Sequence, residues 1–305
     1  MAFGNQLLVS GGSAPPPPVT GNNGQFMYAG TSNGELYQSF DYGATWYLRY
    51  TFGSASDVIN LQCSLDGQKV IAINGSLLYL SEDAGQTFTS QARQSFYALS
   101  SNASWLYRTT YDRLQRSSDF GVTWSGNLTS SNQGVGSIVV TNYSGSIANL
   151  WWSGLGYTWY AGSSSFVYGY KSVFMEMSGD SGAGFSFSGT TAYRKSGFNG
   201  AYGVAPALPT TSNWLDAYYD NDASVAGAVN GTNLYVSSDN FSTATASSFN
   251  DVYKVDGCYT GTNIALYRGD GIWVSNSGLS TSIGSYTLNL VNNTITDVAV
   301  AKNAI

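Results

Sequence analysis

Short segments in which apolar and polar residues alternate recur along this chain, and turn-forming residues separate them. Successive side chains of a β-strand point to opposite faces, so this period of two predicts strands joined by hairpins. One stretch shows the order clearly, with strands predicted at 57–63, 69–73 and 78–81 and a turn at 64–67. The Gly, Ser, Thr, Asn and Tyr content also suits short strands and turns, whereas helix-forming composition is missing. The pattern therefore predicts an all-β chain.

An eight-residue sequence, S-x-D-x-G-x-T-[W/F], occurs three times, at 39–46, 81–88 and 117–124, each time after a short alternating segment. Its Asp can accept hydrogen bonds from amides just ahead of it, and its Gly supplies the positive φ that a tight turn needs. The final aromatic residue can pack under the turn as an apolar plug. We therefore expect this repeat, the box turn, to be structural. Its residues are Ser39, Asp41, Gly43, Trp46, Ser81, Asp83, Gly85, Phe88, Ser117, Asp119, Gly121 and Trp124, with a partial copy at Ser237 and Asp239.

This repeat resembles the Asp-box (BNR-type) repeat of β-propellers such as sialidases, sortilin-like receptors, xyloglucan hydrolases and photosystem II assembly factors. The resemblance implies a propeller. It implies no single activity, because the same box serves unrelated functions in those families.

The box positions predict how many units the chain contains. Placed at 39, 81, 117, 160, 196, 237 and 275, with decayed copies near 162–165 and 196–200, they recur every 36 to 43 residues. That interval is typical of propeller blades and predicts one domain, 23–305, of seven four-stranded blades.

The first blade lacks residues for an inner strand, because prolines occupy positions 15–18 and cannot donate to a strand ladder. We expect 295–301 to close that blade instead. Residues 1–22 are interpreted as a Gly/Pro-rich arm outside the ring, either a disordered tail or an anchor on a neighbouring subunit.

Composition excludes several kinds of partner. The net charge is −6 with only 12 Lys and Arg, and there is no His. A nucleic-acid or anionic-membrane partner is therefore not expected, and the commonest zinc ligand is missing. No apolar segment is long enough for a membrane span or a signal peptide. We predict no cofactor and no metal. Cys63 and Cys258 are expected to remain unpaired, because they fall in blades that are not adjacent.

Four aspartates are candidate ligand-binding residues: Asp57, Asp216, Asp251 and Asp297. The blade alignment puts each at the start of an inner strand, where they would gather near one mouth of the ring and could bind a cation or sugar hydroxyls. The alternative is that each Asp binds its own connecting loop. Residues 220–222, Asp-Asn-Asp, are oxygen-rich like a calcium loop but lack the spaced Glu of such loops.

Aromatic residues crowd the fourth unit, where the box is lost. Trp151 and Trp159 are candidates for holding a sugar, and the alternative is that this cluster belongs to the core.

Enzymatic readings have little support in the sequence. A sialidase requires an Arg-Ile-Pro motif ahead of the first box, which is missing. A glycoside hydrolase requires two carboxylates across a cleft, and a pair drawn from the four aspartates would suffice. The predicted function is non-enzymatic: a structural or attachment protein of a virus particle, in particular of a bacteriophage. It is predicted to bind other virion subunits through its arm and to be able to bind surface glycans. The predicted location is the virion, or an extracytoplasmic site if an upstream signal was removed. The alternatives are a cellular adaptor resembling photosystem II assembly factors and a glycoside hydrolase.

Overall fold

The structure is a computed structural model that describes residues 24–100, 102–110, 113–125, 135–141, 149–154, 157–160, 174–177, 183–188, 190–196, 202–209, 213–248, 250–258, 260–291 and 294–302. Its regular elements are strands, apart from one turn of 3-10 helix at Ile283–Ser285, in the part of the chain that is described. The prediction of an all-β chain is confirmed.

The strands form antiparallel sheets that we number along the chain. Sheet one contains β1 (Met27–Thr31), β2 (Glu35–Ser39) and β3 (Tyr47–Thr51), and sheet two contains β4 (Val58–Cys63), β5 (Val70–Asn74), β6 (Leu77–Ser81) and β7 (Thr89–Ala92). Sheet three contains β8 (Phe96–Leu99), β9 (Leu106–Thr110) and β10 (Arg113–Ser117), and sheet four contains β11 (Val135–Thr141), β12 (Asn149–Gly154) and β13 (Tyr157–Tyr160).

Three further sheets follow. Sheet five contains β14 (Phe174–Met177), β15 (Ala183–Ser188), β16 (Thr191–Ser196) and β17 (Tyr202–Val204), and sheet six contains β18 (Asp216–Tyr219), β19 (Ala226–Val229), β20 (Leu234–Ser237) and β21 (Thr245–Ala246). Sheet seven contains β22 (Val252–Gly257), β23 (Ile264–Arg268), β24 (Gly271–Ser275) and β25 (Thr287–Val291), and β26 (Ile295–Val300) returns to sheet one.

One edge strand of each sheet packs against the corresponding edge strand of the next sheet. We call these strands, β4, β8, β11, β14, β18, β22 and β26, the inner strands, and their contacts run in a closed cycle from β26 back to β4. The hydrophobic core lies between neighbouring sheets. Between sheets seven and one, for example, Met27, Val274 and Val298 belong to one buried cluster.

The strand β26 closes sheet one, as predicted. It pairs antiparallel with β1, with Met27 opposite Val300 and Ala29 opposite Val298. Two backbone hydrogen bonds extend the ladder, from Gly24 N to Ala301 O and from Ala301 N to Phe26 O, both 2.9 Å long. The sheet order is therefore β26-β1-β2-β3.

The number of four-stranded blades is smaller than the predicted seven: five of the described sheets have four strands. Sheets three and four have three strands each within the residues described. In sheet three, Ser125 follows the box turn, and its N–H donates to Arg116 O of β10 at 2.8 Å. Residues 126–134, the box position at 162–165 and the arm at 1–22 lie outside the described residues.

Candidate functional site

The box turns share one hydrogen-bond pattern. In the first, Ser39 Oγ donates to Asp41 Oδ1 at 2.8 Å and accepts the N–H of Gly43 at 2.9 Å. The same Asp41 Oδ1 accepts the N–H of Thr45 at 2.8 Å. The bonds recur in the turns built on Asp83, Asp119 and Asp239. Each Asp is thus occupied within its own turn, which supports a structural role for the predicted box residues.

The same hydrogen bonds lower the pKa of box carboxylates. The hydroxyl and N–H of Thr123 both donate to Asp119 and lower the pKa of its carboxyl to about 2. The donors of Thr243 lower the pKa of Asp239 in the same way. A carboxylate held ionised by its own turn is poorly suited to act as a general acid near neutral pH.

The turn of sheet six departs from the pattern in a way that the sequence did not reveal. Each complete box turn has two successive residues with positive φ, for example Tyr42 at 59° and Gly43 at 80°. In sheet six these residues are Asn240 at 53° and Phe241 at 57°. Phe241 is fully buried and stacks edge-on against Tyr219 with ring centroids 5.9 Å apart. A buried aromatic residue therefore stands at the glycine position of this turn, and Ala244 stands where the first turn has Trp46.

A second repeated turn connects the inner strand to the next strand of its sheet. Ser64 Oγ donates to Asp66 Oδ1 at 2.6 Å and accepts the N–H of Lys69 at 2.9 Å. We call 64–69 and its equivalents the inner turns. The equivalents start at Ser100, Asp220 and Cys258, and each has a residue with positive φ at its fourth position.

The inner turn explains two sequence features. Residues 220–222 form such a turn, in which Ser224 Oγ donates to Asp220 Oδ2 at 2.7 Å. No three His, Cys, Asp or Glu side chains in the described part of the chain converge as metal ligands. Cys258 holds the position of Ser64, with its Sγ accepting the N–H of Asn263 at 3.2 Å. Both cysteines are free, which confirms that they are unpaired.

The four candidate aspartates lie at two levels of the ring. The strand registers set Tyr219 level with the box serine Ser237 and Val300 level with the box serine Ser39. Asp216 and Asp297 each lie three residues before these positions and are therefore equivalent. Asp57 and Asp251 are exposed and come directly before β4 and β22. The structure therefore places Asp216 and Asp297 within strands at equivalent positions, whereas Asp57 and Asp251 lie just outside theirs.

The inner strands are joined by side chains that accept backbone N–H groups of the next sheet, an arrangement we call a lateral clamp. Asp216 Oδ2 accepts the N–H of Val255 at 3.0 Å, and Asp297 Oδ2 accepts the N–H of Leu61 at 3.0 Å. An inner strand has one edge without a ladder partner, so its N–H groups need acceptors from elsewhere. The lateral clamps supply them.

Two lateral clamps use residues that the sequence analysis missed. Asp256 Oδ2 accepts the N–H of Val300 at 2.8 Å, and Gln62 Oε1 accepts the N–H of Leu99 at 2.9 Å. Asp256 and Gln62 are equivalent, each one residue before the position aligned with the box serine. Aligning the sheets on that serine would have found them. The lateral clamps join sheets six, seven, one, two and three in succession.

Two lysines complete the charge pattern. Lys254 Nζ lies 3.5 Å from Asp297 Oδ1, and Lys302 Nζ lies 3.3 Å from Asp256 Oδ1. The Asp297 carboxylate, opposed by burial, raises the pKa of Lys254 above its usual value. Burial raises the pKa of Asp216 to about 6, although Lys254 and the Val255 N–H act in the opposite direction. The centre of the ring therefore holds a paired, nearly balanced set of charges.

The aromatic candidates are placed by their backbones. Trp152 is opposite Trp159 in the register of β12 and β13, and Trp151 is opposite Tyr160. Paired residues share a face of a sheet and neighbours along a strand alternate, so Trp151 and Trp159 belong to opposite faces. Their side chains lie outside the described residues, and a sugar site there stays a prediction.

Comparison with known proteins identifies the fold. No family model and no curated protein matches the chain. Among solved structures, a chain of "Crystal Structure of Mitotic Checkpoint Complex" superposes with a TM-score of 0.63 at 13% identity, covering 88% of this chain and 90% of that one. The structure "YCF48 bound to D1 peptide" gives 0.58 at 13% identity, covering 86% and 96%. This chain is a β-propeller.

An enzyme shares the same fold. The GH74 enzyme of Niastella koreensis superposes with a TM-score of 0.59 at 14% identity, covering 91% of this chain but 56% of that one. This propeller therefore spans little more than half of the GH74 chain. Identities this low establish the fold alone, and propellers of this shape serve several functions.

Proposed function

We propose that this chain is a non-enzymatic propeller that acts as a binding subunit of a larger assembly. The observation that carries the proposal is that the acidic residues of the inner strands hold the sheets together. Asp256 and Asp297 each use one oxygen for a backbone N–H of the next sheet and the other for a lysine. Carboxylates held in this way are not available as a catalytic pair.

The fold supports a binding role. The propeller in the structure "YCF48 bound to D1 peptide" is matched over 96% of its length, so a propeller of this size is sufficient to hold a peptide. We infer that the partner here is likewise a protein. The net charge of −6 disfavours binding to nucleic acid or to an anionic membrane. No helix in the described ranges is long and apolar enough to cross a bilayer.

We propose a virus particle, in particular a bacteriophage, as the assembly. The support is compositional: a surface rich in Ser, Thr, Asn, Gly and Tyr, few lysines, and a Gly/Pro-rich segment at 1–22 suited to docking on a neighbouring subunit. Surface glycans are a further proposed ligand. Their candidate contacts are Asp57 and Asp251 with either Trp151 or Trp159, because the other two predicted residues, Asp216 and Asp297, are held in lateral clamps.

We also propose that the chain is an Asp-box propeller and that sheets three and four are two more blades of the same ring. The four box turns share one hydrogen-bond pattern, and the inner strands of all seven described sheets make a closed cycle. A fourth strand in each of sheets three and four would complete those two blades.

A glycoside hydrolase is the second candidate. It is favoured by Asp216, whose raised pKa of about 6 is that of a potential general acid, in a fold shared with a GH74 enzyme. A cellular adaptor of the photosystem II type is the third.

The deciding experiment compares the full chain with a chain lacking residues 1–20. Each is expressed in its source and purified, and the co-purifying proteins are identified by mass spectrometry. We expect capsid or tail proteins with the full chain only, while circular dichroism shows both chains folded. Recovery with photosynthetic membrane proteins would favour the adaptor. Hydrolysis of a glycan panel that is lost in Asp216→Asn would overturn the non-enzymatic proposal.

A further inference from the structure

The strand β26 differs from the other inner strands in how it is attached to its sheet. The inner strands β4, β8, β18 and β22 continue into the next strand of their own sheet through an inner turn. In contrast, β26 pairs with β1, and the paired residues Thr31 and Ile295 are distant in sequence. A short turn keeps a strand close to its partner, whereas β26 has no such tether.

Sheet seven holds β26 from one side through charged groups. Asp256 accepts the N–H of Val300 at 2.8 Å and pairs with Lys302 at 3.3 Å. Lys254 reaches Asp297, a residue of β26, at 3.5 Å. These side chains are largely shielded, with 19% of the Asp256 side chain and 11% of the Asp297 side chain exposed. Charge-assisted hydrogen bonds with limited exposure are stronger than neutral ones.

Sheet two holds β26 from the other side. Asp297 accepts the N–H of Leu61 at 3.0 Å, and Thr296 Oγ1 donates to Val58 O at 2.7 Å. Asp297 therefore connects three sheets, because it also receives the ion pair from Lys254. The close fit continues at Gly30, where a Cβ would come within 2.6 Å of Val58 Cβ.

We propose that these contacts form a latch on the ring, in which Asp256 and Asp297 keep β26 docked between sheets seven and two. When the latch is broken, β26 leaves sheet one as a unit while the other sheets stay folded. Local opening of this kind is favoured where no short turn joins a strand to its ladder partner, and β26 has no such turn to β1. The latch goes beyond the proposed binding function and is independent of it.

The other lateral clamps provide matched controls. Gln62 makes an equivalent lateral clamp, but it holds β8, which an inner turn joins to β9. If lateral clamps merely add stability, Gln62→Ala and Asp256→Ala will have similar effects on β26. If the latch is real, only the variants at Asp256 and Asp297 will free β26.

The test is amide hydrogen exchange of the full chain, followed by mass spectrometry of peptides from β26, β8 and β18. We expect Asp256→Ala and Asp297→Ala to speed exchange in β26 by about tenfold or more, from the loss of a hydrogen bond to a charged group. Exchange in β18–β20 should stay unchanged. Asp256→Asn, which keeps an acceptor for Val300 and loses the ion pair, should give a smaller increase. Gln62→Ala should leave β26 unchanged.

Two results would overturn the latch: equal acceleration in all sheets, which would indicate global destabilisation, or unchanged exchange in β26. If the alanine variants do not fold, Asp256→Asn and Lys302→Gln decide the question. Both must speed exchange in β26 selectively for the latch to stand.

Discussion

Asp216 in β18 accepts the backbone N–H of Val255 in β22 at 3.0 Å. This hydrogen bond joins two sheets through an acid that burial makes unusually hard to ionise, with a pKa raised to about 6. The contact between sheets six and seven should therefore respond to mild acid.

The sign of that response follows from proton binding. An unfolded Asp titrates near pH 3.9, so between about pH 4 and 6 the folded chain binds more protons at Asp216 than the unfolded chain. Stability from this residue is therefore greatest below about pH 4 and falls as pH rises through about 6. Asp216→Asn keeps an acceptor for Val255 and should remove this component, measured as the urea midpoint at pH 4, 5, 6 and 7. Asp57→Asn, at an exposed site, is the control. An unaltered pH dependence in Asp216→Asn would refute the assignment.

The box turns can be tested at Asp41. Asp41→Ala leaves the N–H of Thr45 and the hydroxyl of Ser39 without their acceptor, and we expect it to lower the free energy of unfolding by ~1 to 3 kcal/mol. Asp41→Asn retains an acceptor oxygen and should cost less. Urea denaturation measures both. If partner binding is lost while stability is unchanged, the turn has a binding role instead of a structural one.

Phe241 allows a test of the altered turn in sheet six. Phe241→Gly relieves a positive φ that costs a non-glycine residue ~1 to 2 kcal/mol, but it empties a fully buried site. Loss of a buried Phe costs ~3 to 5 kcal/mol, so the variant should be clearly less stable. Adding Ala244→Trp rebuilds the order found in the first box turn and should restore part of the loss in thermal unfolding. No recovery in the double variant would show that Phe241 does not replace the plug.

Cys258 gives a test of the inner turn. Its Sγ accepts the N–H of Asn263, as Ser64 Oγ accepts that of Lys69. Cys258→Ser should therefore change stability little, whereas Cys258→Val leaves a buried N–H unpaired and should cost ~1 to 3 kcal/mol. Thermal unfolding compares the two, and thiol titration of the denatured wild type should find both cysteines. Equal losses in the two variants would mean that packing, not hydrogen bonding, governs the site.

The sequence by itself determined the strands, the box turns and the closure by β26. These features depend on neighbours in the chain: alternation sets which face a side chain joins, and Ser39, Asp41 and Gly43 form a turn within a few residues of one another. The prolines at 15–18 excluded a strand there, so the missing inner strand had to come from elsewhere in the chain.

Only the tertiary structure decided what the acidic residues do. Asp297 and Leu61 are 236 positions apart in sequence, and no local pattern records that one accepts the N–H of the other. In the sequence, Asp57 and Asp251 resemble Asp216 and Asp297 in preceding or opening an apolar segment, whereas nothing local distinguishes Asp256 or Gln62. The register of each sheet, including an irregularity between Ile59 and Gln62, determines which side chains reach the next sheet. That register depends on how the strands pack, because an unpaired inner edge takes its hydrogen bonds from whichever side chain the neighbouring sheet brings within reach.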